Sequence, residues 1–375
     1  MSAWPGKYVI GLTGNIATGK SVIRKMLEHL GAYGIDADAL GHRAIAKGAP
    51  GYDQVVNTFG RWILAEDGQI ERSKLAKIVF DDPEALIRLE SIVHPLVSQA
   101  VDLLIRRSRH KVIVVEAIKL LESGLRAKCD TLWVAHAPER VQLSRLVQKR
   151  GMNEAAGRQR ITAQPSQLAK VNAADVVIHN DGTFENTWQQ VLEAWNKLFP
   201  ALEEQGAVPA AAGALTVHRA GPRQAAEISE FINRNSNGAR QYTKNDIMEA
   251  FGEKAYLLLK QEKELVGVVG WQVENLVART GDIYLSKNTP LNEAMRALTD
   301  EIERESRALQ CEVSLLFLTK GMAEKQEIWQ SLGYQHRTVQ SLGVRAWQEA
   351  AAETLTSETT LLFKQLRKDR VLRPV

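Results

Sequence analysis

Residues 8–21 read Tyr-Val-Ile-Gly-Leu-Thr-Gly-Asn-Ile-Ala-Thr-Gly-Lys-Ser, and this stretch decides the fold of the first half of the chain. Tyr8 to Thr13 is short, apolar and rich in β-branched residues, which predicts a strand. Residues 14–21 fit the pattern G-x-x-x-x-G-K-[ST], and apolar residues then recur at helical spacing up to Leu30. A strand, a glycine-containing loop and a helix in this order predict a phosphate-binding loop.

Further apolar segments alternate between the two kinds of secondary structure. Strands are predicted at 111–116, 131–135 and 175–179, and helices at 83–107, 138–149, 153–162 and 183–199. Strands that alternate with helices indicate a parallel sheet with helices on both faces. The predicted fold is therefore α/β, with a doubly wound parallel sheet built on the phosphate loop.

The loop has the chemistry of a nucleotide site. Its backbone N–H groups and the N-terminus of the next helix donate to phosphate oxygens. Lys20 adds positive charge at the β- and γ-phosphates, and the Ser21 hydroxyl ligates Mg²⁺. We expect ATP and Mg²⁺ as cofactors, bound by Gly14, Asn15, Ile16, Ala17, Thr18, Gly19, Lys20, Ser21 and Val22.

Two carboxylates, Asp36 and Asp38, follow a short strand-like run. In a phosphoryl transferase, a carboxylate beside the γ-phosphate accepts the proton of the acceptor hydroxyl or orients that hydroxyl for attack. The alternative is an exposed acidic turn in which an Asp caps the next helix.

Several stretches of the first half together resemble dephospho-coenzyme A kinase. They are Gly-Leu-Thr-Gly-x-x-x-x-Gly-Lys-Ser at 11–21, Ile-Asp-Ala-Asp at 35–38, Gly-Ala-Pro at 48–50, His-Pro-Leu at 94–96, Leu-Leu-Glu at 120–122 and Ala-Asp-x-x-Ile-x-Asn-x-Gly at 174–182. The resemblance covers about residues 7–200 and implies a P-loop core with a helical substrate region and a mobile lid. It also implies transfer of the ATP γ-phosphoryl group to the ribose 3′-hydroxyl of dephospho-coenzyme A, the last step of coenzyme A synthesis. Asn15 and Ala17 stand where this family often has glycine.

The same resemblance implies roles for individual residues. Asp38 would be the catalytic base, with Asp36 in support and both contacting substrate. Lid arginines of the family fall in the segment that holds Arg145 and Arg150, so these two are predicted to close over the phosphates. A solvated basic face is the alternative for them.

Three more candidates carry open alternatives. His94 and Glu122 lie in family stretches and are candidate substrate contacts, although a lone His in a helix and a Glu after two leucines are often structural. Glu116 ends the strand predicted at 111–116, where an acid could hold a magnesium-bound water. Its alternative is a structural or substrate-side carboxylate.

The second half has a different pattern. Residues 200–214 contain two prolines, small residues and no periodicity, which predicts a linker at 201–214 between domains at 1–200 and 215–375. Beyond it the element order predicts an α+β domain on a mostly antiparallel sheet: strand 215–218, helices 225–233 and 244–251, strands 255–260, 265–274 and 282–285, helix 292–309, strand 312–319, helix 323–332 and strand 360–366.

This order resembles the GNAT superfamily of acetyltransferases over about 215–367. In working members, a Gln/Arg-x-x-Gly-x-Gly/Ala loop after the fourth strand holds the acetyl-coenzyme A pyrophosphate through N–H groups. The corresponding residues, 286–295, contain no glycine, and Pro290 has no N–H. We therefore expect a GNAT-like domain that is non-catalytic.

Composition excludes several classes. The 375 residues are 45% hydrophobic and 25% charged, and 48 Lys and Arg balance 44 Asp and Glu. A globular protein follows, and so small a charge excess argues against nucleic acid as the main partner. Two distant cysteines and no long apolar run point to a reducing, cytoplasmic setting and away from a membrane.

The leading reading is a dephospho-coenzyme A kinase with dephospho-coenzyme A as its substrate. The alternatives are a P-loop kinase of another small alcohol or nucleoside, or a coenzyme A-sensing bifunctional protein with an active acetyltransferase half. Because the phosphate loop, the acceptor carboxylate and the lid all precede residue 200, a chain truncated near Gly206 is expected to keep kinase activity.

Overall fold

The computed structural model describes residues 3–200, 214–236, 238, 240–369 and 371–372. The chain divides into two compact units: residues 1–20, 32–177 and 368–375 in the first, and residues 21–31 and 178–367 in the second. Residues 201–213 of the predicted linker lie outside the described residues. The domain boundaries at 200 and 215 therefore remain a prediction.

A parallel sheet organises the first half. Its strands are β1 (Tyr8–Thr13), β2 (Tyr33–Asp36), β3 (Val112–Glu116), β4 (Thr131–His136) and β5 (Val176–His179). The sheet has the order β2-β3-β1-β4-β5, and the pairs β2–β3, β1–β3 and β1–β4 are parallel. The predicted parallel α/β fold is confirmed.

Helices fill the connections between these strands, and one more helix follows the last strand. They are α1 (Lys20–His29), α2 (Ala37–Ala44), α3 (Tyr52–Phe59), α4 (Arg72–Asp81), α5 (Pro83–Arg107), α6 (Glu139–Gln148), α7 (Glu154–Thr162), α8 (Gln167–Ala173) and α9 (Phe184–Leu198). Helices α2 to α5 lie between β2 and β3, and Ile45, Val55, Phe59, Ile63 and Leu75 lie in a buried apolar cluster of this helical region. Helices α6 to α8 lie between β4 and β5, where the resemblance puts the lid.

The second half is an α+β unit. Its elements are β6 (Leu215–Arg219), α10 (Ala225–Asn235), α11 (Lys244–Ala250), β7 (Ala255–Gln261), β8 (Glu264–Glu274), β9 (Val277–Leu285), α12 (Leu291–Ala308), β10 (Val313–Thr319), α13 (Lys320–Ala323), α14 (Gln326–Ser331), β11 (Gln335–His336), α15 (Arg345–Thr354) and β12 (Thr359–Gln365). The seven strands have the order β11-β12-β10-β9-β8-β7-β6, with β9–β10 parallel and the other pairs antiparallel. The mostly antiparallel sheet predicted from the element order is confirmed.

Four elements of the second half differ from the sequence pattern. Strand β9 begins at Val277 rather than at 282, and the helix expected at 323–332 is divided into α13 and α14. The two-residue strand β11 and helix α15 are not predicted at all. Arg279 interrupts the apolar pattern that would predict the first part of β9. Its side chain is nevertheless buried, and it pairs with Glu274 and Glu353 at 2.7 Å each.

Helix α1, which follows the phosphate loop, carries a buried ionic cluster of the second unit. Glu28 accepts from Arg24 Nη1 at 2.7 Å and from Lys25 Nζ at 2.8 Å. Lys25 Nζ also donates to Val273 O at 2.9 Å, and His29 Nε2 donates to Phe251 O at 2.8 Å. Residues 21–31 are therefore joined to the second half by hydrogen bonds across more than 200 residues of sequence.

Within the described ranges, no helix combines the length and the apolar character needed to cross a membrane.

Candidate active site

The strand order brings the predicted site residues to one edge of the first sheet. Strand β3 lies between β2 and β1, and Asp36 at the end of β2 is in register with Glu116 at the end of β3. Glu116 is also in register with Leu12 of β1, two residues before the phosphate loop begins. Because the three strands are parallel, their carboxyl ends meet at this edge, which is where α/β sheets bind ligands.

The phosphate loop adopts backbone conformations that only some residues accept. Gly14 has a φ of +149°, and a Cβ atom there would lie 2.5 Å from Ala135 O, so glycine is required. Ala17 has a φ of +58°, in the left-handed region, at a cost of roughly 1–2 kcal/mol relative to a right-handed residue. Alanine therefore keeps the loop shape at this family glycine position, and Asn15 needs no positive φ.

Internal hydrogen bonds hold the loop closed. Thr18 Oγ1 donates to Asn15 O at 2.9 Å, and Lys20 Nζ donates to the same oxygen at 3.3 Å. Thr18 and Lys20 are buried. The ammonium group of Lys20 is thus folded over the loop that is proposed to receive the phosphates.

The segment between α7 and α8 fastens the start of the loop. Gln164 Oε1 accepts from Ile16 N at 2.7 Å, and Gln167 Oε1 accepts from Asn15 N at 2.9 Å. Asn15 Nδ2 donates to Pro165 O at 3.0 Å. The asparagine side chain therefore has a structural role that glycine at this position could not supply.

The two aspartates have separate contacts. Asp36 caps α2, since its Oδ1 accepts from Ala39 N at 2.8 Å. The helix-capping role considered for these two aspartates is therefore found at Asp36. Asp38 lies in the first turn of α2, and its Oδ2 accepts from the N–H of Ile118 at 3.0 Å. Asp38 is half-buried and is held from the opposite side of the site by the segment that follows β3.

Burial shifts the pKa values of Asp38 and Lys20 in opposite directions, and neighbouring charges of opposite sign oppose both shifts. Burial raises the pKa of Asp38, although Lys20 acts against it. Burial lowers the pKa of Lys20, although Glu116, Asp38 and Asp36 act against it. A carboxyl with a raised pKa is the kind of group that serves as a general base, because its proton affinity moves toward the working pH.

The lid arginines differ in placement. Arg145 of α6 is half-buried, and its Nη1 donates to Ala17 O in the phosphate loop at 3.1 Å. Arg150 is exposed, and its charge contributes to lowering the pKa of Lys20. Arg158 is exposed and pairs with Glu154 within α7, as a solvated face does.

The other predicted site residues differ in how far they are exposed. His94 is half-buried in the middle of α5, next to Pro95, and Glu122 is exposed after β3. Ser21 is exposed and Val22 is half-buried at the start of α1. Glu116 is only 4% exposed, so its carboxylate lies inside the protein at the end of β3.

The sequence pattern does not single out Gln164, Gln167, Ile118 or Lys170. The backbone of Ile118 carries its contacts, so no side-chain pattern could reveal it. The two glutamines stand on either side of Pro165, and this arrangement is the sequence feature that points to them.

Comparison with known proteins covers both halves. A family profile described as dephospho-CoA kinase matches residues 8–186. The dephospho-CoA kinase of Carboxydothermus hydrogenoformans is 42% identical over 192 residues, which are 50% of this chain and 93% of that protein. The solved dephospho-CoA kinase of Campylobacter jejuni is 25% identical over 51% of this chain and 97% of its own, with a TM-score of 0.38.

For the second half, a solved acetyltransferase of the GNAT family from Staphylococcus aureus covers 41% of this chain and all of its own, at 12% identity and a TM-score of 0.33. The Carboxydothermus hydrogenoformans kinase, by contrast, is matched over 93% of its own length at 42% identity. Through its first half, the chain belongs to the dephospho-CoA kinase family.

Proposed function

We propose that this protein transfers the γ-phosphoryl group of ATP to the ribose 3′-hydroxyl of dephospho-coenzyme A, with Asp38 as the base. The observation that carries the proposal is the meeting of three features at one sheet edge: the phosphate loop, the buried Lys20 and the Asp38 carboxylate held by Ile118 N. Family membership supports dephospho-coenzyme A as the acceptor.

In this mechanism each residue acts on a defined atom. The 3′-hydroxyl oxygen attacks the γ-phosphorus atom in line while the bond from that phosphorus to the β,γ-bridging oxygen breaks and ADP leaves, and Asp38 accepts the proton of the hydroxyl. Lys20 and Arg145 neutralise the negative charge that spreads over the equatorial oxygens. Closure of the α6–α7 lid would exclude water, which otherwise competes with the acceptor hydroxyl.

The donor chemistry of the site suits Mg²⁺, which prefers oxygen ligands and is usually held by one or two protein oxygens plus substrate phosphates. Glu116 offers a buried carboxylate at the strand end, and Ser21 directly follows Lys20 in the motif. We propose these two residues as its holders. Bound there, the ion would supply positive charge that offsets the negative charge of the ATP phosphates.

The GNAT-like half is proposed to be non-catalytic. The segment after β9 uses its own donors: Ser286 N donates to Val266 O at 2.9 Å, and Thr289 N donates to Ser286 O at 3.1 Å. Pro290, at the N-cap of α12, has no N–H. Two backbone donors of this segment are therefore used internally and Pro290 supplies none, which together with the absence of glycine in residues 286–295 supports the absence of acetyl transfer.

The kinase proposal is tested by turnover with dephospho-coenzyme A, adenosine and AMP as acceptors, with product position assigned by phosphorus NMR. We expect turnover with dephospho-coenzyme A and 3′-phosphorylation. Lys20→Ala serves as the inactive control, with a loss in kcat well above tenfold because its charge acts mainly in the transition state. A preference for adenosine or AMP would instead favour the alternative function, a P-loop kinase of another small alcohol or nucleoside.

The second half is tested on the full chain. Calorimetry with acetyl-coenzyme A and an amine acetylation assay should show neither tight binding nor acetyl transfer. Micromolar binding together with amine acetylation would instead support the bifunctional alternative.

The two free cysteines, Cys129 and Cys311, accord with a reducing compartment, and we propose the cytoplasm as the location.

A further inference from the structure

Lys170 is a buried cation to which the mechanism above gives no role. Its side chain is only 1% exposed although it lies in α8, a helix of seven residues. Lysine is almost never fully buried without a partner, because moving an ammonium group from water into a protein is costly. A site that retains such a group has contacts that offset part of this cost.

The contacts of Lys170 lead to the carboxylate of Asp38 through one residue, Ile118. Lys170 Nζ donates to Ile118 O at 2.8 Å, and Thr13 Oγ1 donates to the same oxygen at 3.1 Å. The N–H of Ile118 donates to Asp38 Oδ2 at 3.0 Å. Lys170 and Thr13 therefore fix the residue whose N–H holds Asp38.

Charge links the same groups. Burial lowers the pKa of Lys170, and Glu122 and Asp38 act against it. Asp38 in turn is faced by Lys20 of the phosphate loop, Glu116 of β3 and Lys170 of α8. Glu122 is exposed, so solvent screens its attraction, whereas Asp38 is half-buried and its attraction is screened less.

We propose that Lys170 is a positioning residue for phosphoryl transfer, which binds the carbonyl group of Ile118 and so fixes the backbone of this residue, whose N–H holds the Asp38 carboxylate in its reactive orientation. This inference rests on the proposed function. It connects α8, at the end of the lid region, to the group that receives the acceptor proton.

The first measurement compares Lys170→Met, which keeps the side-chain length and removes the charge and donors, with Lys170→Arg, which keeps both. In the full chain, Lys170→Met should lower kcat for dephospho-coenzyme A phosphorylation about tenfold or more, with the KM for ATP within about threefold, because the orientation of Asp38 matters mainly in the transition state. Lys170→Arg should recover part of the loss. Lys197→Met, at an exposed site on α9, should leave kcat unchanged.

The second measurement is a double-mutant cycle with Asp38→Asn, read by single-turnover kinetics. If Lys170 acts through Asp38, Lys170→Met should lower the rate by less than about threefold in the Asp38→Asn background, because the two effects are then not additive. A general folding defect would instead multiply with the Asp38 defect. Thermal unfolding of each variant identifies such a defect.

The outcomes separate the two proposals. A wild-type protein that phosphorylates dephospho-coenzyme A, combined with a fully active Lys170→Met variant or with multiplicative defects, overturns the role of Lys170 alone. A wild-type protein without this turnover overturns the proposed function, and the role of Lys170 with it.

Discussion

At the scale of single residues, Asp36 and Asp38 show how two neighbouring carboxylates take different tasks. Asp36 accepts from Ala39 N and caps α2, whereas Asp38 faces across the site to Ile118 N. The difference follows from their place in the chain: Asp36 has the extended backbone of an N-cap, and Asp38 already belongs to the helix.

This division predicts unequal effects for the same substitution. Asp38→Asn should lower kcat by two orders of magnitude or more while the KM for ATP changes little, because an amide cannot accept the hydroxyl proton. Asp36→Asn should stay active and stable, since Asn caps a helix about as well as Asp. Steady-state kinetics and thermal unfolding of both variants decide the matter. A crippled Asp36→Asn beside a nearly normal Asp38→Asn would reverse the assignment.

The pH dependence of kcat offers a second prediction for Asp38. The base is active only when ionised, so kcat should fall as the pH falls through the pKa of Asp38 in the bound complex. Because burial raises that pKa, the acidic limb should lie above the value of about 3.9 for an ordinary Asp. Asp38→Asn should lack this limb in its residual activity. A kcat that is flat from neutral pH down to about pH 4 contradicts the assignment.

At the scale of elements, the turn between α7 and α8 supports the phosphate loop. Gln167 both accepts from Asn15 N and donates to Ala135 O at 2.9 Å, so one side chain joins the loop to β4. Without it, a backbone N–H of the loop loses its partner in a half-buried position, which costs about 1–3 kcal/mol.

Gln167→Ala should therefore lower the free energy of unfolding by about 1–3 kcal/mol and raise the KM for ATP severalfold. Gln159→Ala, at an exposed position of α7, is the matched control and should change neither quantity. Urea unfolding and steady-state kinetics measure both. Equal behaviour of the two variants would remove Gln167 from the support of the loop.

The elements also show how far sequence patterns reach. Strand β1 and helix α5 begin and end as predicted, because their apolar periodicity and the Pro83 start signal are local. Strand β9 was only half predicted, because the ion pair that makes Arg279 acceptable inside a sheet involves Glu353, 74 residues away. The candidate site divides in the same way. Its motif residues are contiguous at 14–21, whereas Gln167 and Lys170 find their partners 152 and 52 residues away.

At the scale of the whole molecule, the grouping of residues 21–31 with the second half changes an expectation drawn from sequence. A chain truncated near Gly206 keeps every motif, but it loses Val273 and Phe251, which accept from Lys25 and His29 of α1. Since α1 begins at Lys20, the helix that carries the loop lysine would lose part of its support. We now expect the truncated chain to lose activity.

The ionic cluster on α1 predicts a pH dependence of stability. Burial alone would raise the pKa of Glu28, but Lys25 and Arg24 lower it to about 2. A carboxyl whose folded pKa is depressed stabilises the fold above its unfolded pKa, and this contribution is lost as the pH falls from about 4.5 to about 2. The contribution is on the order of 3 kcal/mol. Urea unfolding from pH 6 to pH 3 should show a steeper loss for the wild type than for Glu28→Gln. Parallel curves would mean that Glu28 is not held ionised.

Two phenylalanines of the second half separate support of the kinase from general stability. Phe251 is fully buried, and its ring meets the ring of His29 edge-on at 5.2 Å between centroids, whereas Phe317 is buried in a different cluster beneath α15. Either Phe→Ala substitution should cost about 3–5 kcal/mol, because each leaves a cavity of similar size. Only Phe251→Ala should also raise the KM for ATP and lower kcat when both variants are assayed well below their unfolding temperatures, because only Phe251 contacts the helix that follows the phosphate loop. Equal kinetics of the two variants, despite equal losses of stability, would show that the second half stabilises the chain without positioning α1.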